Sequence, residues 1–458
     1  MDAKSLQMLE LPRVLEQLAA FTLFSASREL ALALVPDTNS AAVAQLLAET
    51  SEARRLLQTH PELTVGGARD VRQTAQAAAR SAALQPAELL EVKATLGAAR
   101  ELKRGLARLS ARYPLLSGSA QALPECPGIV EAITAALNDR GEVLDGAAPR
   151  LRSLRSDLRS AHDRLLTKLQ SIVSSARNAP YLQEPIITQR GDRYVIPLKA
   201  NFKGRIRGLV HDQSTSGATL FIEPLAVVEL ANQWRTLQSA EAAEVRRILL
   251  ELSALVGAQA TAICALVQLL AELDLALAKA RHADALQASP AQLQAWAAAG
   301  PPAGSGLQLR GARHPLLPAH SAVAIDAVPQ AGTRIIVISG PNTGGKTVAL
   351  KTIALLALMN QCGLHIPALP GSALPIFSGV YADIGDEQSL QAKPLHIFRA
   401  PHQHHSHPSA GGCARHWWCW MSWAPALIQA KARRWRAQSF RTCWKAEPPP
   451  SSPATRTS

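Results

Sequence analysis

The feature that most constrains this chain is a loop of eight residues between an apolar run and a run of helical composition. Residues 340–347 read GPNTGGKT and fit the pattern G-x-x-x-x-G-K-[ST]. The β-branched residues 334–339 before the loop predict a buried parallel strand, and residues 347–358 after it predict a helix. Strand, loop and helix therefore follow in the order that a phosphate-binding loop requires.

The residue types of this loop suit a nucleoside triphosphate. Glycines let the backbone wrap round a phosphate with its N–H groups inward, and the next helix presents its positive end to the same oxygens. We expect Lys346 to neutralise the β- and γ-phosphates of ATP and the Thr347 hydroxyl to bind Mg²⁺ as the metal ligand. The alternative is a plain glycine turn with a solvent-exposed lysine. The predicted nucleotide-binding residues are Gly340, Pro341, Asn342, Thr343, Gly344, Gly345, Lys346 and Thr347.

Two further segments flank this loop, and each allows two interpretations. GARHPLL at 311–317 predicts either a cover for the nucleotide base through His314 or a turn fixed by His314 and Pro315. YADIGDE at 381–387 predicts either carboxylates that approach Mg²⁺ or DNA, or a solvated acidic loop.

The first 290 residues predict helices with one β-element between them. Residues 1 to about 140 have helical spacing broken at Pro36, Pro61, Pro86 and Pro114, which predicts a bundle of short helices. Apolar residues recur from Leu151 to Ile172, and a second such run covers roughly 227–286. Residues 185–224 alternate apolar and polar residues with glycines between, which predicts strands and hairpins. The sequence thus predicts an antiparallel helical arm with a small sheet at its tip.

The predicted arm tip is rich in cations that suit phosphate binding. Its candidate nucleic-acid-binding residues are Arg190, Arg193, Lys199, Lys203, Arg205 and Arg207, against Asp192 and Asp212. The alternative is a solvated sheet edge protected by charge.

Composition limits the class of protein only loosely. The 458 residues carry a net charge of +13, of which +9 lies after Gln391. The N-terminus has neither a cationic segment nor an apolar segment typical of a signal peptide, so we expect a cytoplasmic protein without membrane insertion. The six cysteines form no C-x-x-C pair, which argues against a zinc ribbon or a disulfide framework.

The motifs together resemble one family. GPNTGGKT followed by VALKTIALLALMNQCGLHIPA and VYADIGDEQSLQ closely resembles the ATPase domain of MutS proteins. RYVIPLKANFKGRIRGLVHDQSTSGATLFIEP resembles the arm tip of one bacterial branch, here called MutS-two, and the resemblance covers residues 1 to about 391. It implies a homodimer that closes around branched DNA such as recombination junctions, suppresses recombination and uses ATP to switch the clamp. It also implies a C-terminal Smr nuclease domain and, in some bacteria, action on stalled ribosomes.

The resemblance stops after Gln391. The family continues there with a segment similar to SLSTFSSH and then an Asp-Glu strand, whereas this chain reads AKPLHIFRAPHQHHSH. One choice of codons for Ala392 to Ala400 reads QNLSTFSAH one nucleotide downstream, so a shifted reading frame is compatible with the sequence. We therefore predict a disordered, functionally empty segment at 392–458 and poor hydrolysis of ATP. The rival interpretation is a metal site formed by His402, His404, His405, His407, Cys413 and Cys419.

The predicted fold class is multidomain α plus α/β. It comprises a helical core at 1–145, a helical arm with a β tip at 146–290, a partial P-loop ATPase domain with a parallel sheet at 291–391, and the segment 392–458. The leading functional hypothesis is an ATP-dependent clamp on branched DNA. The alternatives are an ATPase that acts on RNA or stalled ribosomes, and a small-molecule kinase, which would not need a long helical arm.

Overall fold

The computed structural model describes residues 1–294, 306–383 and 416–420, apart from 319, 331–332, 334–335, 337 and 339–344. These residues form a mixture of helices with parallel and antiparallel sheets, as the predicted fold class requires. Contacts divide the chain into two compact units. Unit 1 contains residues 1–23, 27–62 and 274 onward, and unit 2 contains 24–26 and 63–273.

The two units divide the chain differently from the boundaries predicted at 145, 290 and 391. Most of the first 62 residues belong with the C-terminal part of the chain, because their leucines share a core with it. Leu11, Leu15 and Leu18 lie in one buried cluster with Leu355, Leu358 and Leu374. Sequence spacing shows that such leucines face a core, but it does not show which distant segment completes that core.

Unit 2 contains the predicted short helices and the arm. Pro86 and Pro114 begin their helices rather than merely separating them, since the first helical position needs no backbone N–H donor. Its helices are α5 (Arg72–Ala79), α6 (Pro86–Ala107), α7 (Pro114–Gln121), α8 (Ile129–Ala136), α9 (Pro149–Val173), α10 (Leu225–Ala258) and the start of α11 (Ala260–Ala285), with short 3-10 helices at Asp145–Ala147, Ala179–Tyr181 and Ala200–Phe202.

The predicted antiparallel arm is confirmed in α9 and α10. Arg155 of α9 bonds Glu241 of α10 at 3.0 Å, while His162, further along α9, stacks against Trp234, which comes earlier in α10. The predicted second run at 227–286 is not one helix, because α10 ends at Ala258 and α11 begins at Ala260. The break follows Gly257, which packs directly on the backbone of Ala78 at the end of α5.

The sheet at the arm tip is confirmed within 185–224. Its strands are β1 (Thr188–Arg190), β2 (Arg193–Lys199), β3 (Gly208–Gln213) and β4 (Thr219–Pro224), all antiparallel in the order β1-β2-β4-β3. Ile196 and Leu198 of β2 and Ile222 of β4 bury one face of the sheet against Leu165 and Leu169 of α9. Strand β3 is exposed at every residue from Leu209 to Gln213.

Unit 1 combines helices with short strands. Its helices are α1 (Ala3–Met8), α2 (Leu11–Ala19), α3 (Ser25–Leu32, chiefly in this unit), α4 (Ser40–Thr59), the end of α11 and α12 (Lys346–Gln361). Its strands are β5 (Gln292–Gln294), β6 (Leu309–Ala312), β7 (Ile325–Ala327), β8 (Ala373–Pro375), β9 (Gly379–Asp383) and β10 (His416–Trp420). The pairs β5–β8 and β9–β10 are parallel, and β6–β7 is antiparallel.

Two sequence predictions for unit 1 need correction where the structure describes them. Ile336 and Ile338, the described residues of the predicted strand at 334–339, lie outside any strand, and Ile336 is 41% exposed. A buried parallel strand needs hydrogen-bonded neighbours on both sides, and no strand pair in the described part of the chain includes this segment. Residues 416–420 form β10 instead of lacking structure, while the rest of 392–458 lies outside the described residues.

Helix α11 is long and apolar enough to cross a membrane by length and composition alone. Core helices of globular proteins pass the same test, and 56% of the relevant window is buried inside the protein. The window is therefore weak evidence for a membrane span. The charged residues of the helix include Asp274, which is fully buried and accepts hydrogen bonds from the Ser27 hydroxyl and the Leu23 amide.

The contact at Gly257 generates a stability prediction. A Cβ at this position would lie 2.5 Å from the Ala78 carbonyl oxygen, which is backbone and cannot swing away. We expect Gly257→Ala to lower the free energy of unfolding by about 1–3 kcal/mol in a denaturant titration. Gly97→Ala is the matched control, because a Cβ in this α6 position meets nothing within 4 Å. It should raise stability by roughly 0.5–1 kcal/mol, and equal effects of the two changes would contradict the packing at Gly257.

Candidate nucleotide site and basic arm tip

The predicted phosphate loop leads into α12 as the sequence indicates. Gly345 caps the helix with φ of +74°, a left-handed conformation that favours glycine, and Lys346 is the first helical residue. The Ala349 amide donates to the Gly345 carbonyl at 2.9 Å, so the helix is regular from its first turn. Lys346 and Thr347, both half-buried, thus lie at the positive end of a sixteen-residue helix. Gly340, Pro341, Asn342, Thr343 and Gly344 lie outside the described residues.

The rest of α12 is enclosed by protein. All ten residues from Thr352 to Gln361 are buried, including the polar residues Thr352, Asn360 and Gln361. A helix that is buried on every side cannot rotate or slide without breaking core contacts. Its first turn is therefore held in one position relative to the unit 1 core.

Gln361 fixes the C-terminal end of α12 through its side chain. The amide group donates to the Asp37 carbonyl at 2.7 Å and to the Phe377 carbonyl at 2.9 Å, and accepts from the Phe377 amide at 3.0 Å. The Gln361 carbonyl also accepts from the Asp37 amide at 3.0 Å. These bonds tie the helix to the loop before α4 and to the segment between β8 and β9.

The loop after α12 meets a buried polar cluster. The fully buried Lys279 ammonium of α11 donates to the Cys362 carbonyl at 2.8 Å, and the Thr50 hydroxyl of α4 donates to the Gly363 carbonyl at 2.7 Å. Burial lowers the pKa of Lys279 and raises that of the Cys362 thiol to about 12. A neutral thiol at this position is a packing group and not a nucleophile.

Two buried histidines belong to the same unit. His365 bonds the Ser51 hydroxyl at 2.9 Å, and His282 packs edge-on against Phe21 with ring centroids 5.8 Å apart. Burial lowers the pKa of each to about 4, so both rings are neutral at pH 7. They stabilise the fold as uncharged groups.

His314, a predicted cover for the nucleotide base, forms a turn. Its Nδ1 accepts from the Leu316 amide at 3.3 Å, and its carbonyl accepts from the Leu317 amide at 3.2 Å. This geometry agrees with the turn that was one of the two interpretations of residues 311–317. Burial lowers the pKa of this ring as well. Of the predicted acidic segment, Tyr381, Ala382 and Asp383 lie in β9, and residues 384–387 lie outside the described part.

The structure separates the six predicted cations of the arm tip into two groups. Arg190, Arg193 and Lys199 make contacts within the tip. The Arg190 guanidinium lies 3.3 Å from Asp212 and stacks 4.2 Å over the Phe221 ring. Lys199 donates to the Pro180 carbonyl at 3.2 Å.

Arg193 belongs to a network around a buried carboxylate that the sequence analysis missed. Glu223 is fully buried and contacts Arg193 at 3.1 Å and His211 at 2.7 Å, while Arg193 also donates to Asn232 at 2.9 Å. An acid in the apolar strand TLFIEP was a usable signal, because a charge at an inward position needs a partner. Arg193 therefore neutralises Glu223 inside the tip.

Lys203, Arg205 and Arg207 form the second group, which we call the outward cations. All three are exposed, and within the described part of the chain none has a salt bridge. They alternate along a short segment between the 3-10 helix Ala200–Phe202 and β3. The charge that is available to a partner at the tip is concentrated there.

Among the described residues, no group of three or more His, Cys, Asp or Glu side chains is arranged to hold a metal ion. The rival histidine and cysteine site at 402–419 lies outside the residues whose side chains the structure describes.

Comparison with known proteins agrees with the motifs. The chain is 44% identical over 399 residues to Endonuclease MutS2 of Thermomicrobium roseum, 45% identical over 391 residues to that of Pelotomaculum thermopropionicum, and 42% identical over 394 residues to that of a Geobacillus species. Each match covers 85% of this chain, and the chain spans about half the length of these relatives, at 50%, 49% and 49%. No protein-family model matches the chain.

The similarity to these relatives places the chain in the MutS family, and the helix that starts at Lys346 and the helical arm that ends in a small sheet agree with it. Within that family the matched part of the chain belongs to the MutS2 branch, so the resemblance seen in the sequence is confirmed.

The neutral histidines generate a prediction on pH. In the unfolded chain each histidine takes up a proton near pH 6.5, whereas the folded rings stay neutral down to about pH 4. Stability therefore falls as the pH drops from 6.5 to 4, by roughly 3 kcal/mol for each ring. We expect His282→Phe to reduce the loss between pH 7 and pH 4.5 by about 2 kcal/mol in urea titrations.

His320→Gln is the control for this measurement, because His320 is exposed. It should leave the pH dependence of stability unchanged. A decline of the same size in His282→Phe and in the parent protein would show that burial does not hold this ring neutral.

Proposed function

We propose that this chain is a cytoplasmic ATP-binding clamp for branched DNA. The observation that carries the proposal is the sequence GPNTGGKT, which continues directly into a helix that begins at Lys346. The relatives named Endonuclease MutS2 support the nucleic-acid part of the proposal.

The nucleotide would bind at the first turn of α12. In this proposal the Lys346 ammonium neutralises the β- and γ-phosphates, and the Thr347 hydroxyl takes one position on Mg²⁺. The positive end of the helix dipole at the first turn favours the same anion. Because the buried body of α12 and the Gln361 hydrogen bonds hold the helix in place, these groups are positioned before ATP arrives.

Hydrolysis of the bound ATP is expected to be slow. Attack of water on the γ-phosphate needs a group that orients the water and acids that hold the metal. After Glu387 the sequence contains one acidic residue, Glu447, so it lacks the Asp-Glu strand that the family resemblance implies. We propose that the chain binds ATP without efficient turnover and that, as in the family, two copies form the clamp.

DNA would be gripped at the arm tip by the outward cations. Lys203, Arg205 and Arg207 are exposed without carboxylate partners in the described part of the chain, so each is free to replace a counterion on a phosphate. Arg190, Arg193 and Lys199 support the tip from within by their contacts to Asp212, Glu223 and the Pro180 carbonyl. Ribosomal RNA offers the same phosphate chemistry and is the other polyanion to test.

Replacement of the loop lysine tests the nucleotide site. We expect Lys346→Ala to weaken binding of a fluorescent ATP analogue with Mg²⁺ by at least about tenfold, because a charge-assisted phosphate contact is lost. Lys351→Ala is the matched control, one turn later on the same helix, where the lysine lies 3.6 Å from Glu10. Equal affinity of the Lys346 variant and the parent for the ATP analogue would show that Lys346 does not bind the phosphates.

Neutralisation of the outward cations tests the DNA site. We expect the triple change of Lys203, Arg205 and Arg207 to Gln to weaken binding to a four-way junction and to reduce the slope of log affinity against log salt by about 3. The control is the triple change of Arg80, Arg104 and Arg108 to Gln, which removes the same charge from exposed positions at the C-terminal ends of α5 and α6, outside the tip.

The same two triple variants can be compared on duplex DNA and on ribosomes. Loss of junction binding in the tip variant alone supports a DNA clamp. Loss of ribosome binding in a protein that ignores junctions would favour the RNA-associated alternative, and an identical salt slope in both variants would show that the tip does not touch phosphate.

A further inference from the structure

The arm tip contains a cavity of about 310 Å³ beside the outward cations. Its floor is the apolar face of the sheet, with Leu198 of β2 and Ile222 of β4, and its walls include Ile206 and Val210. Val210 pairs with Ile222 across the sheet, so both side chains project to the same face. The cavity therefore extends the tip core outward to the surface.

The mouth of the cavity joins apolar surface to positive charge. Val210 and Leu225 are 47% and 53% exposed, and Lys203 and Arg207 also line the cavity. No acidic residue lines it. The nearby acid Glu223 is already engaged by Arg193 and His211. A ligand that fits must bring an apolar part of modest size and a negative charge next to it.

An unstacked nucleotide has this combination. A base is flat and largely apolar on its faces, and its phosphates lie a few bonds away on both sides. A volume of 310 Å³ is near the lower end of ligand cavities, which suits one base and not a longer segment. In a fully paired duplex no base is available to enter the cavity. Such DNA would therefore contact only the outward cations.

We propose that this cavity receives one unstacked base of the bound DNA while Lys203 and Arg207 hold the adjacent phosphates. The inference rests on the proposed DNA-binding function and goes further by giving the tip a preference for DNA with an unpaired nucleotide. Bases at a branch point are unstacked at a lower free-energy cost than bases inside a continuous duplex, so branched DNA suits such a cavity. The base would then cover the exposed side chains of Val210 and Leu225. Removal of this apolar surface from water favours the complex.

Two variants of β3 separate this role from phosphate binding. Val210→Phe fills the cavity, whereas Leu209→Phe adds the same ring at the adjacent residue, which is 48% exposed and does not line the cavity. Successive strand residues point to opposite faces, so the two changes are matched in chemistry and exposure but differ in face. Neither variant alters the outward cations.

Binding is measured by fluorescence anisotropy on two DNA duplexes that differ by a single unpaired 2-aminopurine nucleotide. We expect the parent protein and Leu209→Phe to prefer the duplex with the unpaired base by about tenfold. Val210→Phe should lose the preference while it keeps the affinity and salt slope for the fully paired duplex. The 2-aminopurine emission should change on binding in the first two proteins only.

The remaining outcomes of this binding experiment distinguish failure of the base cavity from failure of the proposed clamp. Equal preference in Val210→Phe and Leu209→Phe, or no preference in the parent, overturns the base cavity and leaves the proposed clamp intact, because paired DNA is still bound. Failure of the parent to bind either duplex at low salt overturns the proposed function and the cavity together. An RNA strand of the same sequence, if preferred over DNA, would assign the cavity to RNA and overturn the commitment to DNA.

Discussion

Burial of helix α12 is the constraint on which unit 1 depends. A helix exposed on one side can tilt or rotate at low cost, but residues 352–361 are enclosed on every side. Each buried leucine of this helix contributes roughly 1.5–3 kcal/mol, and Gln361 adds directional bonds to two separate segments. The position of Lys346 and Thr347 is thus determined by a core that lies mostly at the other end of their helix.

In unit 2 the main constraint is electrostatic, because the end of its long arm carries several positive charges. The tip would repel itself if all six cations were close together and unpaired. Asp212 and the buried Glu223 neutralise Arg190 and Arg193 within the tip. The outward cations are left for a partner on the segment before β3. Charge that supports the fold and charge that faces outward are therefore carried by different residues of one short stretch.

Particular residues show how far the sequence could be interpreted. The helix at Lys346, the antiparallel arm and the tip sheet were predictable because each depends on local signals: a glycine loop, a three-four spacing of apolar residues, and alternation with glycine. The close contact between Gly257, just before the break of the second arm run, and the backbone of Ala78 was not, because Ala78 lies far away in the chain. The role of Arg193 was equally unpredictable, because the sequence pattern of a strand is the same whether its cation faces solvent or a buried acid.

The amino-acid sequence by itself determined the helices of the arm, the strands of its tip and the order of residues in the phosphate-loop motif. The resemblance of its motifs to those of MutS proteins also indicated the family, because each motif is a run of neighbouring residues. Only the tertiary structure decided that the first 62 residues complete the core around α12, that His314 forms a turn, and which three cations of the tip face outward. These outcomes depend on contacts between residues far apart in the chain, and the free energy of such contacts is set by packing and burial that no local pattern encodes.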